Sequence, residues 1–204
     1  GSLFYDFTNF NCDISSWDVL GVTDMSNMFG KTYAFNQDLS SWNVSTVVNM
    51  EGMFSDSYYF DQDISSWNVS IVENMTGMFN GAVNFNQDIS SWNVSNATNM
   101  TAMFYNASSF NQDISSWNVA NVTSMILMLD GTAVSEENQC AIHTSFSSND
   151  AWPYDWSGLC EDLDDDGPPA CLDTCAGNEA VFNCDFENDS NCFAVYCDWV
   201  ATNY

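Results

Sequence analysis

The chain has 204 residues, enough for one ordinary domain or for an elongated repeat array with a small module attached. Asp and Glu number 28 against the single Lys31 and no Arg, a formal net charge of -27, so binding to nucleic-acid phosphates or to anionic lipid is excluded. Hydrophobic residues at 46%, with aromatics at 15%, exclude a disordered acidic tail, which lacks the apolar surface needed to offset chain entropy.

No apolar run approaches the roughly 20 residues of a bilayer span, which argues against membrane insertion. The Gly1-Ser2 start, without initiator Met or signal-peptide pattern, reads as a mature or trimmed product. Residues 1–9 then align as the tail of a preceding coil, with Leu3-Phe4 in Met-Phe slots, and no polar capping repeat is visible at this end.

From Phe10 onward a period of 25 governs the chain. Trp17, Trp42, Trp67, Trp92 and Trp117 keep that spacing, as do Phe10, Phe35, Phe60, Phe85 and Phe110. The coils are residues 10–34, 35–59, 60–84, 85–109 and 110–134. Around Trp92-Asn93-Val94 the apolar spacing is two, which predicts a short strand with Trp and Val on one face and Ser91, Asn93 and Ser95 on the other. Met100, Met103, Phe104 and Ala107 follow at helical spacing and predict a short helix or 3-10 segment. The expected fold is thus an α/β solenoid with leucine-rich-repeat-like coils, each a short strand plus a short helix, stacked because one coil cannot bury its apolar face alone.

The unit F-N-Q-D-I-S-S-W-N-V-S-N-A-T-N-M-T-A-M-F-Y-N-A-S-S at residues 85–109, and its neighbours across residues 1–134, resemble the BspA-type leucine-rich-repeat family of surface proteins. Residues 141–156, A-I-H-T-S-F-S-S-N-D-A-W-P-Y-D-W, resemble a segment that closes such arrays. The resemblance implies a secreted or cell-surface protein associated with adhesion and surface structure, with no catalytic residues to transfer.

Equivalent residues should stack into columns. The column Asp13, Asp38, Asp63, Asp88 and Asp113 reads as backbone caps of turns, with bridging cations as the alternative. Sequons are frequent because the consensus generates them, and glycans are favoured at Asn74, Asn96, Asn106 and Asn121 over the crowded column Asn43, Asn68 and Asn93.

Residues 135–204 form an acidic, Cys-rich module in which seven of the eight Cys lie, and this density predicts disulfides and an oxidising, extracellular compartment. The eighth, Cys12, occupies a slot held elsewhere by Gln37, Gln62, Gln87 and Gln112. It is a candidate for an intermolecular disulfide, with an intrachain bridge or a buried free thiol as alternatives. Asp162, Asp164, Asp166 and Asp173 match the spacing of a calcium loop around Gly167, although Asp replaces the usual bidentate Glu and prolines follow the glycine. An ordinary solvated acidic loop is the competing reading.

With one His, one Lys and otherwise periodic carboxylates, no asymmetric acid-base pair is evident, so catalysis is not expected. The sequence therefore predicts an extracellular structural protein, the subunit of a surface assembly or filament built head to tail. The alternative is a monomeric adhesin that binds a glycan or protein through the polar Ser-Asn-Ser face.

Overall fold

The computed structural model describes residues 1–160. Gly1–Trp156 form one compact unit, so the first unit runs past the last repeat and takes in the start of the Cys-rich region. A second unit begins at Ser157 with the short 3-10 turn Ser157–Leu159.

The five coils stack with the period of 25, but their local structure corrects the expected strand and helix. Among the described residues no sheet forms, and the one α-helix, α1 (Glu136–Phe146), lies beyond the repeats. The fold is therefore not an α/β solenoid. Each coil is instead a chain of tight turns, and parallel pairing shrinks to single bridges, Asp24 to Asn49, Asn49 to Asn74, Asn74 to Asn99 and Asn99 to Ser124.

Two causes are visible. At the Trp-Asn-Val segment, side chains take the acceptors that a strand ladder would use. Trp42 Nε1 donates to Ile14 O at 3.1 Å, and Trp67, Trp92 and Trp117 repeat the bond one coil later each time. The same carbonyl also closes a local turn, as where Trp17 N–H donates to Ile14 O at 3.0 Å. Alternation of inside and outside is real here, with Trp42 and Val44 buried and Asn43 exposed, yet it comes from a straight step between turns.

At the Met-x-x-Met-Phe segment the backbone alternates in hand. Asn27 and Lys31 have φ of 52° and 59°, and the same two slots are left-handed at Gly52 and Asp56, Gly77 and Gly81, Ala102 and Asn106, and Leu127 and Gly131. A helix needs right-handed φ at every residue, so two reversals four residues apart forbid one. The reversals turn alternate N–H groups toward the next coil: Met50 donates to Asn74 O, Gly52 to Thr76 O and Phe54 to Met78 O, at 2.8–2.9 Å. The intervening N–H groups close local turns, Met53 to Met50 O and Ser55 to Gly52 O.

The interior is continuous from coil to coil. Phe54 stacks on Phe60, the first residue of the next coil, at 3.9 Å between ring centroids, and on Phe79 of that same coil at 5.6 Å. Met50, Met53, Phe54, Phe60 and Ile64 are fully buried. Burial of this kind stabilises each coil only through its neighbours, which is why the period carries no insertion.

The last coil is covered by residues 135–156. Ser135 caps α1 by accepting the Asn138 N–H on its side chain, and Ile142 and Phe146 enter the common core. Phe146 meets Trp152 edge-on at 5.2 Å, and Trp152 in turn packs against Tyr154 and Trp156. At the other end, residues 1–9 lie on the first coil as half a coil, with Phe4 N–H donating to Met28 O at 3.0 Å and the Phe4 ring 3.9 Å from Phe10. Trp17 is 43% exposed, against 3–4% for its four counterparts Trp42, Trp67, Trp92 and Trp117.

Candidate interaction surface

Since the interior is packed solid, chemistry is confined to the sides of the stack, where repeated polar side chains form columns. Asp13 Oδ1 accepts from both the backbone N–H and the hydroxyl of Ser15. Asp38, Asp63, Asp88 and Asp113 accept the equivalent backbone N–H at 2.8–2.9 Å. The column thus caps turns. The backbone N–H of Ser15 or Ser40, seconded by the hydroxyl, holds the Asp13 and Asp38 carboxyls below the usual range. For Asp63 and Asp88 the serine hydroxyl leads and the backbone N–H follows.

A second column links coils directly. Asn36 Oδ1 accepts from Asp61 N–H and from Gln62 Nε2, at 3.0 and 2.9 Å, and Asn86 Oδ1 serves Asn111 N–H and Gln112 Nε2 in the same way. Cys12 stands where this column has glutamine, and its thiol is free and exposed. Cys140 and Cys160 each take part in a disulfide bond.

The four favoured sequons divide. Asn96 Nδ2 donates to Ser70 O at 2.6 Å, and Asn121 Nδ2 to Ser95 O at 2.7 Å, so a glycan there would sit on a nitrogen that already holds an inter-coil bond. Asn74 Nδ2 donates to Glu51 Oε2 at 3.1 Å, while Asn106 sits in a left-handed slot with φ of 57°. By contrast Asn43, Asn68 and Asn93 engage Oδ1 in a local turn with Ser45, Ser70 and Ser95. The calcium-loop residues Asp162, Asp164, Asp166 and Asp173 lie outside the described residues. Within them, no group of three or more His, Cys, Asp or Glu could hold a metal ion.

Where the last coil meets the end of α1, a groove of about 600 Å³ opens between Ser115, Ser116 and Asn118 on one wall and Ser145, Ser148 and Asp150 on the other. Hydroxyls, amides and one carboxylate suit hydrogen bonding to a polar ligand, whereas the pair of positioned acid and base groups that hydrolysis requires is not among these six. His143, the sole His, accepts the Trp152 indole N–H on Nδ1 at 3.1 Å and so helps to hold the cap.

Sequence reading passed over one feature of the surface: Tyr33, Tyr58 and Tyr59 form an aromatic edge. Tyr33 and Tyr58 stack at 4.6 Å with planes 6° apart, and Tyr59 is 61% exposed. The signal was available, because these slots vary from coil to coil while the flanking Phe slot does not.

Fold and surface together define a repeat scaffold: stacked turn-built coils with a helical cap, a solid core and ordered polar columns. The chain belongs to the family described as Mycoplasma protein of unknown function, DUF285, which matches residues 1–70 and 44–142. No curated protein and no solved structure matches it. Among the described residues no helix is long and apolar enough to cross a membrane.

Proposed function

We propose that the protein is a non-catalytic, extracellular surface scaffold of BspA-like type that acts by contact along the sides of its coil stack, binding a glycan or another protein. The observation that carries this reading is the cap. Residues 135–156 cover the last coil, where Tyr154 takes the Leu129 N–H and Ser135 and Asn138 take the Asn111 side chain that a further coil would engage, so a further coil would have to displace them, and the regular sides remain as the repeated surface. The disulfide-bonded Cys140 and Cys160 favour an oxidising compartment. Size-exclusion chromatography with light scattering and negative-stain microscopy test it. Monodisperse particles that bind cells or a glycan array are the expected result, and axial polymers in native material would overturn it.

Head-to-tail assembly is the second reading. It is favoured by the exposed edge of the first coil, where Trp17 and Leu20 are 43% and 60% exposed, and by the exposed Cys12 thiol as the partner for a cysteine of another copy. A non-reducing gel of native material would then show high-mass species that collapse on reduction. Calcium at Asp162, Asp164, Asp166 and Asp173 belongs to the same proposal and is tested by calorimetric titration, heat being the expected outcome.

A further inference from the structure

In a strict repeat, a slot whose side chain supports the stack is held constant, so a variable slot is free of that demand. The slot of Tyr33 reads Thr8, Tyr33, Tyr58, Val83 and Ser108 along the coils, and the next reads Asn9, Ala34, Tyr59, Asn84 and Ser109. The backbone here is pinned whatever the side chain. Tyr59 N–H donates to Tyr33 O at 3.3 Å, Asn84 N–H to Tyr58 O at 3.1 Å and Ser109 N–H to Val83 O at 3.0 Å. Nothing in the fold therefore asks for three tyrosines. Tyr58, Tyr59 and Val83 are 40%, 61% and 37% exposed, an apolar edge on an otherwise polar side.

The chain shows on itself what such rings take. Lys31 Nζ lies over the Tyr5 ring, 5.5 Å from its centroid. One coil later, the slot of Lys31 is Asp56, and with one Lys and no Arg in the sequence the chain has no second such cation to offer Tyr58 and Tyr59. Aromatic rings beside carboxylates in a protein of net charge -27 attract cations and repel acidic partners. We propose that the Tyr33, Tyr58 and Tyr59 edge is the docking site for a basic segment of a partner protein, whose Lys or Arg side chains pack on the tyrosine rings. This rests on the reading that the protein acts through the sides of its stack.

The test uses the full chain and fluorescent nona-arginine at about 0.15 M salt, where diffuse attraction between exposed charges is screened. Tyr58→Ala with Tyr59→Ala leaves the net charge unchanged and should weaken binding about tenfold, as expected for two lost cation-ring contacts. Tyr58→Phe with Tyr59→Phe keeps the rings and should stay within about twofold. Glu51→Gln with Glu73→Gln removes two charges on other columns and should cost no more than about threefold.

Wild-type affinity in the Ala pair, a larger loss in the Gln pair, or no binding of the peptide to wild type each overturns the proposal. If the Ala pair fails to melt cooperatively, Tyr59→Ala alone decides by the same comparison, since that side chain is mostly exposed. Loss of cell or glycan binding with peptide binding intact would count against the wider scaffold reading only. Tyrosine-dependent peptide binding by polymeric material would leave this proposal standing while the lateral scaffold fell.

Discussion

Inside the stack, Phe104 N–H donates to Met128 O of the next coil at 2.9 Å, whereas Leu129, in the same slot one coil on, donates to the Tyr154 hydroxyl oxygen at 2.8 Å. The amide column behaves alike: Asn111 Oδ1, which a further coil would engage with a backbone N–H and a Gln amide, receives Ser135 N–H and Asn138 Nδ2. Asn149 Nδ2 closes Val119 O and Val122 O at 2.7 and 3.0 Å. Coils satisfy one another with copies of themselves, and the cap meets the Leu129 N–H and the Asn111 side chain with unrelated residues. A repeat thus dictates which groups its end must meet, but not the structure that meets them.

The largest effect should come from the rings. Phe79 touches Phe54, Phe85 and Phe104 as well as Trp92, while Phe146 has Trp152 as its aromatic neighbour. Phe79→Ala should cost about 5 kcal/mol and Phe146→Ala about 3 kcal/mol in urea unfolding, the extremes expected for buried Phe truncation. Equal losses would mean that the cap is as tightly coupled as the interior.

Asn149→Ala orphans the Val122 carbonyl, leaves Val119 O with the Val122 N–H alone, and removes the acceptor of Ala151 N–H. It should cost about 1–3 kcal/mol and speed hydrogen exchange in coil 110–134 before the others. Trp92→Phe, which removes the donor to Ile64 O in mid-stack, should cost about 1 kcal/mol, with no single coil opening first.

Acid sensitivity sharpens the same contrast, because the capped Asp column belongs to the coils alone. Asp38, Asp63 and Asp88 have pKa values below the ordinary 3.8, so in that range the unfolded chain binds more protons than the folded one. Their contribution is full above about pH 4 and is lost as pH falls through the lowered values. Replacing all three with Asn keeps the Oδ1 acceptor and should flatten the acid limb of a melting-temperature profile.

The smallest effect concerns the left-handed slots. Ala102 at φ 53° bears a strain that Gly77, one coil earlier, avoids. Ala102→Gly should therefore stabilise by up to about 1 kcal/mol, the left-handed penalty less the entropy cost of glycine, as read from chemical denaturation.

Much of the interior was legible beforehand. Period, register and the buried set of Met, Phe, Trp, Val and Ile could be read because burial recurs with the repeat. The strand and helix could not, although a clue existed: Gly52, Gly77, Gly81 and Gly131 share two slots with Asn27, Asn106 and Asp56, residue types suited to left-handed backbone. Apolar spacing misled there, since Met100, Met103, Phe104 and Ala107 are all buried without forming a helix.

The sequence by itself determined that this chain stacks, how often, and which side chains face inward, because hydrophobic burial depends on residue type at each position. Only the tertiary structure decided how the backbone meets its hydrogen bonds. Donors and acceptors 24 to 28 residues apart compete with turns three residues apart, and Trp, Asn and Gln side chains take places that a ladder would fill. That competition is settled when neighbouring coils come together, and no single coil carries its outcome.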